Sequence, residues 1–494
     1  MSPFGRTYSI NIAAGRNELV SIDDFRLEEG KITFLFGESG IGKSLISKAI
    51  YGLLDPEELT VSINGGNYRT YLRNSETRAV QENGFFVFQE PSTHLNPLMR
   101  LEEQLREGSL SAAPSETSIL SRLWDTASYR SVSDLLRVYP KPDRPSGGEK
   151  QRMLLTMAFK KIALLKNSPS RVRNALFVFD EPSGNLDNHF RDQFLNLLCE
   201  YHSQMPFTAV VITHDYSMIT SLQRHQRHML VSIVFREIYR KRSRLGIREF
   251  APALYTEWAE SLRPAAPPRE WPPPILEFES GAGVYGKTLV ISLDPGGMNP
   301  CSLSLAPGMI AALKAPSGTG KTTVVKMMMG MLPAARFSMT FCGESLSERT
   351  PRAYWRDHLW GKMMTMVFQH ADEALNPNAS VKDVFHRLPE SPVRDLVETW
   401  FPDAADEEFL KKRIYYLSGG EKQRLNLLRS LSLQTDLLIL DEPLNGLDFE
   451  SMTRVLSMLK MNQRKAQAVL IISHNDDVFD RIVPASQTYY LHAK

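Results

Sequence analysis

"KITFLFGESGIGKS" occupies residues 31–44 and "MIAALKAPSGTGKT" occupies residues 309–322. In each, a run of apolar residues gives way to a glycine-rich turn and then to a lysine beside a hydroxyl. "LISKAIYGLL" or "TVVKMMMGML" follows. The apolar run reads as a buried strand and the segment after the turn as a helix. That order turns a glycine-rich stretch into a phosphate cradle: small residues let backbone N–H groups converge on oxygens, and the helix N-terminus adds partial positive charge. Lys43 and Lys321 can then reach the outer phosphates of a nucleoside triphosphate, and Ser44 and Thr322 can hold its Mg²⁺. Gly37, Ser39, Gly40 and Gly42 in the first loop, and Ser317, Gly318, Gly320 and Thr323 in the second, are the further nucleotide-binding candidates.

The repetition continues beyond the loops. "VFQEPSTHLNPL" (87–98) answers to "VFQHADEALNPN" (367–378), and "PSGGEKQR" (145–152) to "LSGGEKQR" (417–424). "LFVFDEPSGNLD" (176–187) answers to "LLILDEPLNGLD" (437–448), and "VVITHD" (210–215) to "LIISHN" (470–475). Landmarks recurring in one order mean a duplicated domain. Gln369 lies 280 residues after Gln89, but Asp441 only 261 after Asp180, so the first copy carries the longer insert between them.

The DEP segments bring the acid–base chemistry. Four apolar residues ending in Asp180 or Asp441 describe a parallel strand whose carboxylate emerges beside the phosphate loop, where it can join a Mg²⁺ shell. Glu181 and Glu442 then stand where an attacking water needs a base. His214 and His474 close further apolar runs at nearly equal distance after their aspartates, which favours a phosphate contact for both.

Composition excludes more than it suggests. Lys+Arg of 58 against Asp+Glu of 56 leaves a net charge of +2, so the chain as a whole advertises neither nucleic acid nor an anionic membrane. The cysteines, Cys199, Cys301 and Cys342, are too scattered for a zinc knuckle, an iron–sulfur run or a disulfide framework, and a reducing cytoplasm fits. No signal-peptide pattern opens the sequence and no apolar run is long enough to cross a bilayer. The expected division is a first domain over 1–225, a basic then Pro-rich connecting segment over 226–274, and a second domain over 275–494. Within the connector, "REIYRKRSRLGIRE" (236–249) reads as a solvated helix face and "LRPAAPPREWPPP" (262–274) as a semi-rigid spacer.

Together these residues resemble the nucleotide-binding domains of ATP-binding cassette (ABC) proteins, twice over. The resemblance implies an α/β fold with two P-loop NTPase domains, each with a mainly parallel sheet core, an antiparallel β subdomain and a helical subdomain. It implies ATP and Mg²⁺ as cofactors. Ser146, Gly147 and Gly148, with Ser418, Gly419 and Gly420, match the family's signature, which closes over the ATP held by the opposite domain in a head-to-tail pair. Gln89 and Gln369 match the glutamine-loop residues that touch Mg²⁺ and a transport partner, and Asp187 and Asp448 the dimer-contact aspartates. Tyr285, in "LEFESGAGVY", matches an aromatic that stacks on adenine, with Tyr8 the nearest first-copy counterpart. Pro145 in place of leucine and Ala315 in place of glycine depart from the pattern.

The glutamine loops resemble those of importers for peptides, nickel and related small solutes. That implies two transmembrane permease subunits and a solute-binding protein as partners, membrane contact through the permeases only, and a peripheral place on the cytoplasmic face. No nucleic acid is expected. The alternative is a cytosolic tandem ATPase serving an enzyme assembly, as in C–P lyase or reductase-activation systems.

Overall fold

The computed structural model describes residues 5, 7–107, 116–124, 136–137, 140–166, 168–184, 188–241, 244–264, 266, 268–284, 286–316, 318–332, 335–386, 390–401, 407–464, 466–473 and 476–493. They fall into two compact units, Met1–Tyr255 and Thr256–Lys494.

The first unit is built on β3 (Ile32–Phe36), β6 (Phe85–Val87), β7 (Leu176–Asp180), β8 (Thr208–Ile212), β9 (Ile233–Lys241) and β10 (Arg244–Glu249), in sheet order β10-β9-β3-β8-β7-β6. All neighbours pair in parallel except β9 and β10. Every residue of β3, β7 and β8 is buried, as a parallel sheet covered on both faces requires. A second sheet joins β1 (Thr7–Ala14), β2 (Asn17–Arg26), β4 (Thr60–Ile63) and β5 (Gly66–Asn67) in the antiparallel order β2-β1-β4-β5. Its inner residues Ile10, Ile12, Val20 and Ile22 share one core with Ile41, Ile46 and Ile50 from the loop and helix Lys43–Tyr51.

The second unit repeats this plan. Its large sheet runs β12 (Ala282–Val284), β13 (Lys287–Ser292), β21 (Thr488–Ala493), β15 (Ile310–Lys314), β20 (Ala468–Ile472), β19 (Leu437–Asp441), β18 (Met364–Val367). Its small antiparallel sheet runs β14 (Leu303–Leu305), β11 (Leu276–Phe278), β16 (Ser338–Phe341), β17 (Glu344–Ser347). The helices between glutamine loop and signature lie partly outside the described residues, at 108–115, 125–135 and 138–139 in the first unit and 387–389 and 402–406 in the second.

The expected connector is corrected by the sheet. Residues 226–255 belong to the first unit and 256–274 to the second. The basic run 236–249 is not a solvated helix face: it forms most of β9 and β10, and β9 pairs with the strand that enters the glycine loop. Two of its arginines find carboxylates, Arg236 at Glu28 and Arg248 at Glu237. Glu237, almost fully buried, accepts hydrogen bonds from Tyr216 Oη at 2.7 Å and Arg248 Nε at 2.7 Å, so a sequence rich in Arg and Lys still enters a core.

Candidate functional site

Each glycine loop leaves a buried strand and ends in a left-handed glycine that caps a helix: Gly42 at φ 112° before Lys43–Tyr51, and Gly320 at φ 110° before Lys321–Met328. Gly37, Gly40 and Gly318 also take positive φ. The lysines are buried and their ammonium groups lie over the loop's own carbonyls. Lys43 Nζ donates to Gly37 O at 2.7 Å and Glu38 O at 2.9 Å; Lys321 Nζ donates to Ala315 O at 2.7 Å and Pro316 O at 3.1 Å. Burial lowers the Lys43 pKa against the opposing pull of Glu181, Asp180 and Glu38. A buried ammonium at a helix N-terminus makes a site for a polyanion.

Asp180 ends β7 one strand beyond the neighbour of β3 and accepts a hydrogen bond from Ser44 Oγ at 2.9 Å. Burial pushes its carboxyl up to about 6, against the pull of that hydroxyl. Asp441 ends β19 with the same shift in direction and cause, opposed by a hydrogen bond from Thr322. Its Oδ2 is buried with no hydrogen-bond partner. Among the described residues no three His, Cys, Asp or Glu side chains cluster as a self-sufficient metal cage. One hydroxyl, one carboxylate and an orphaned buried oxygen fit a hard cation such as Mg²⁺, which completes its shell with phosphate oxygens and water.

Glu181 and Glu442 follow these aspartates, and both adopt a left-handed backbone, φ 48° and 49°. A non-glycine residue seldom takes that conformation, and its recurrence in both copies marks a constrained position. The backbone turns away from the strand while its amide still bonds the next strand: Glu181 N donates to Ile212 O at 2.9 Å, and Glu442 N to Ile472 O at 2.8 Å. Both side chains are buried, 8% and 3% exposed. Glu181 Oε1 lies 2.9 Å from His214 Nδ1. Burial alone would raise the glutamate's pKa, but His214 and Lys43 outweigh it and hold the carboxyl below its ordinary value. Burial opposes the charged imidazole too, and Glu181 outweighs it, so His214 stays above its ordinary value. Glu442 Oε2 accepts a hydrogen bond from Ser473 Oγ at 3.1 Å. A buried, ionised carboxylate beside a phosphate cradle can orient a water and take its proton.

The signature serines cap their helices identically. Ser146 caps Gly147–Leu165 and Ser418 caps Gly419–Ser432. Each hydroxyl accepts the N–H of Glu149 or Glu421, at 3.3 and 3.2 Å, and each serine N–H is bonded by that glutamate at 2.7 Å. Gly148 and Gly420 complete these first turns. Pro145 is buried where Leu417 is buried, and it gives up only the bond that Leu417 N makes to Ile414 O. Ala315 supplies the same carbonyl to its lysine as Gly37 does. Neither departure disturbs the site around it.

Gln89 is exposed and Gln369 half-buried, each one phenylalanine beyond the end of the strand that precedes its loop; Ser39 and Thr323 are half-buried in loop and helix. Tyr8 is 6% exposed within the core, so it offers no platform for a base. Tyr285, Ser317, His474 and Asp187 lie outside the described residues, whereas Asp448 Oδ1 accepts the N–H of Ser451 at 2.7 Å. Sequence reading named both glutamates but passed over their left-handed backbone, and it passed over Ser473. The residue before each histidine, Thr213 and Ser473, was the available signal for the latter.

The family whose description is "ABC transporter" matches this sequence twice, over residues 20–165 and 298–445. The chain belongs to the ABC transporter family. Its two ABC domains bind and hydrolyse ATP. Among relatives, it is 26% identical to the uncharacterized ABC transporter ATP-binding protein YejF of Escherichia coli K12, over 91% of this chain and 86% of that one. It is 26% identical to the peptidoglycan transport ATP-binding protein YejF of Agrobacterium fabrum, over 95% and 87%. It is 24% identical to the glutathione import ATP-binding protein GsiA of Escherichia coli K12, over 97% and 82%. Among solved structures, the complex of the archaeal ribosome recycling factor aABCE1 with stalk protein aP1 matches with a TM-score of 0.61 at 15% identity, over 98% of this chain and 89% of that one. RNase-L Inhibitor matches with a TM-score of 0.60 at 16% identity, over 98% and 89%. These two share the ABC fold, in tandem. No described helix is long and apolar enough to cross a membrane.

Proposed function

We propose that this ABC protein is the ATP-hydrolysing subunit of an importer for a peptide- or nickel-like small solute. It would act on the cytoplasmic face of the membrane with two transmembrane permease subunits and a solute-binding protein. The observation that carries the reading is the coexistence in one chain of two full lysine, hydroxyl, aspartate and left-handed glutamate sets with two LNP-type glutamine loops. Its likeness to proteins described as peptidoglycan transport and glutathione import subunits supports it.

In this reading Lys43 and Lys321 hold the outer phosphates, Ser44, Asp180 and Gln89 hold one Mg²⁺, and Thr322, Asp441 and Gln369 the other. A Mg²⁺ held by these residues would supply positive charge against the phosphates. Glu181 and Glu442 orient the hydrolytic water and accept its proton; His214 and His474 contact the γ-phosphate. Ser146 to Gly148 close over the ATP of the second loop and Ser418 to Gly420 over that of the first, so closure is head to tail. Tyr285 stacks on the second adenine.

Purification of the tagged chain from its native membranes tests the reading, together with uptake of a labelled tripeptide and of labelled Ni²⁺ by cells carrying wild type or Glu181→Gln with Glu442→Gln. The expected result is two co-purifying integral membrane proteins and loss of one uptake in the double variant. Co-purification with a soluble enzyme assembly alone, with both uptakes intact, would transfer the chain to the alternative, a tandem ATPase of the C–P lyase or reductase-activation kind.

A further inference from the structure

The β9–β10 hairpin overhangs the first glycine loop. Phe36, the last residue of β3, pairs with Glu237, and β9 then runs on through Ile238 to Lys241 past the end of its neighbour. This is the carboxyl edge of a parallel sheet, where such folds gather their ligands. The approach is close: a Cβ added to Gly37 would lie 2.6 Å from Ile238 O, and one added to Gly42 would lie 2.6 Å from Val20 Cγ2 and 3.9 Å from Leu245 Cδ1. Cross-strand register places Ile238 opposite Ile247 and Arg240 opposite Leu245. Residues directly opposite share a face, so Arg240 stands on the face that Leu245 and Ile247 turn to the core of the loop and its helix. It is exposed and forms no ion pair or hydrogen bond among the described residues.

The second unit builds the same wall without the cation. Leu289 lies 3.6 Å from a Cβ added to Gly320, as Val20 and Leu245 lie near Gly42, and its cross-strand partner is Ala493. Registered against the loop strands, Ala493 takes the place of Arg240: Lys314 pairs with Tyr490 as Phe36 pairs with Glu237, each three residues earlier. In the first unit Ala14 pairs with Asn17 across Gly15 and Arg16, so that turn carries no ring, while the wall beside it carries a guanidinium.

We infer that Arg240 is the base-binding residue of the first ATP site, its guanidinium plane stacking on the adenine ring of the nucleotide held by the Lys43 loop. Lys43, the loop amides and the helix N-terminus already meet the phosphates. A cation at the outer rim faces the part of the ligand that projects from the cradle, and arginine stacks on base planes as aromatic rings do. The inference rests on the proposed ATP site of the first loop.

Binding to the full chain with the second loop disabled by Lys321→Ala separates base from phosphate. ATP and inorganic tripolyphosphate are titrated in parallel by calorimetry. Arg240→Ala is expected to weaken ATP about 5- to 20-fold, the size of one stacking contact, and to leave tripolyphosphate within about twofold. Arg240→Trp, which keeps a plane and loses the charge, is expected to restore most of the ATP affinity. Equal weakening of both ligands would make Arg240 a phosphate contact and overturn the inference, as would no change in either. Lys43→Ala in the same background must abolish both titrations; if both survive, the first-loop site itself is wrong and the inference falls with it.

Discussion

The two units hold their glutamine loops to the surrounding helices in different ways. In the second, Asp372 is bonded by Lys422 of the signature helix at 2.8 Å and Glu373 by Lys326 of the phosphate-loop helix at 2.7 Å, so two ion pairs tie the loop to both helices. In the first, Ser92 and Thr93 stand in those places. Lys150 Nζ donates to Ser92 Oγ at 3.2 Å, and Lys48 lies over the Phe88 ring at 5.6 Å. The lysines are kept and their partners exchanged. The reaction centres, by contrast, match down to the backbone angle of the glutamate. Duplication has preserved the loop lysines and the left-handed glutamates and let the attachments diverge, so one motif set is held to its surroundings by two kinds of contact.

The largest expected effect falls where the units agree. Glu181→Gln together with Glu442→Gln should lower phosphate release by about 10²–10⁴-fold, the usual cost of losing a positioned base. Turnover at the wild-type level would break the likeness of the two centres at its root. The next effect falls on the loop that differs. Gly37 sits at φ 145° with no room for a Cβ, whereas Ala315 occupies the corresponding position at negative φ. Gly37→Ala should therefore destabilise the first unit by about 1–3 kcal/mol and impair its nucleotide titration, while Ala315→Gly leaves the second unaffected. Calorimetry on the single-site backgrounds reads both, and equal effects would erase the distinction.

A smaller effect tests the attachments. Both second-unit ion pairs are partly exposed, so Lys326→Ala or Lys422→Ala should destabilise that unit by at most about 1 kcal/mol. In thermal melts the loss should shrink as ionic strength rises from about 0.05 to about 0.5 M, whereas Lys48→Ala should show no such salt dependence. The smallest concerns pH. The helix Asn188–Gln204 is pinned by His202, whose Nε2 lies 2.9 Å from Gly30 O. Burial lowers its pKa, so the native state disfavours the charged form. The unfolded chain then binds the extra proton, so His202 should cost the first unit stability as pH falls below about 6.5, read as the difference between wild type and His202→Gln because the raised Asp180 and His214 act in the opposite sense. The matching helix Phe449–Arg464 is pinned by Asn462 and Gln467, bonded at 2.8 Å and without a titrating group. A first-unit transition with the same pH dependence in wild type and His202→Gln would discard this difference.

Much of the molecule was legible from letters alone. Glycine loops, DEP strands and SGGE caps are short, local and repeated, and their chemistry depends on neighbours in sequence: a glycine that must cap a helix, a serine that must accept its third amide. Hence the duplication and the order of the motifs were read from spacing, and the α/β class from the family resemblance those motifs carry. Three features were not. The basic run 236–249 reads as a solvated face because its charges are visible and their partners are not; Glu237 is neutralised by Arg248, eleven residues on and opposite in register, and accepts a hydrogen bond from Tyr216 at the start of the helix Ser217–His225. The left-handed turn at Glu181 and Glu442 has no sequence signature, since it is imposed by bonding to the adjacent strand. Tyr8 resembles an adenine platform until the small sheet buries it. Local motifs determined what the protein can bind. Long-range pairing of strands decided which charges enter the core, which way the glutamate after each DEP-segment strand turns, and which arginine is left at the rim of the first loop.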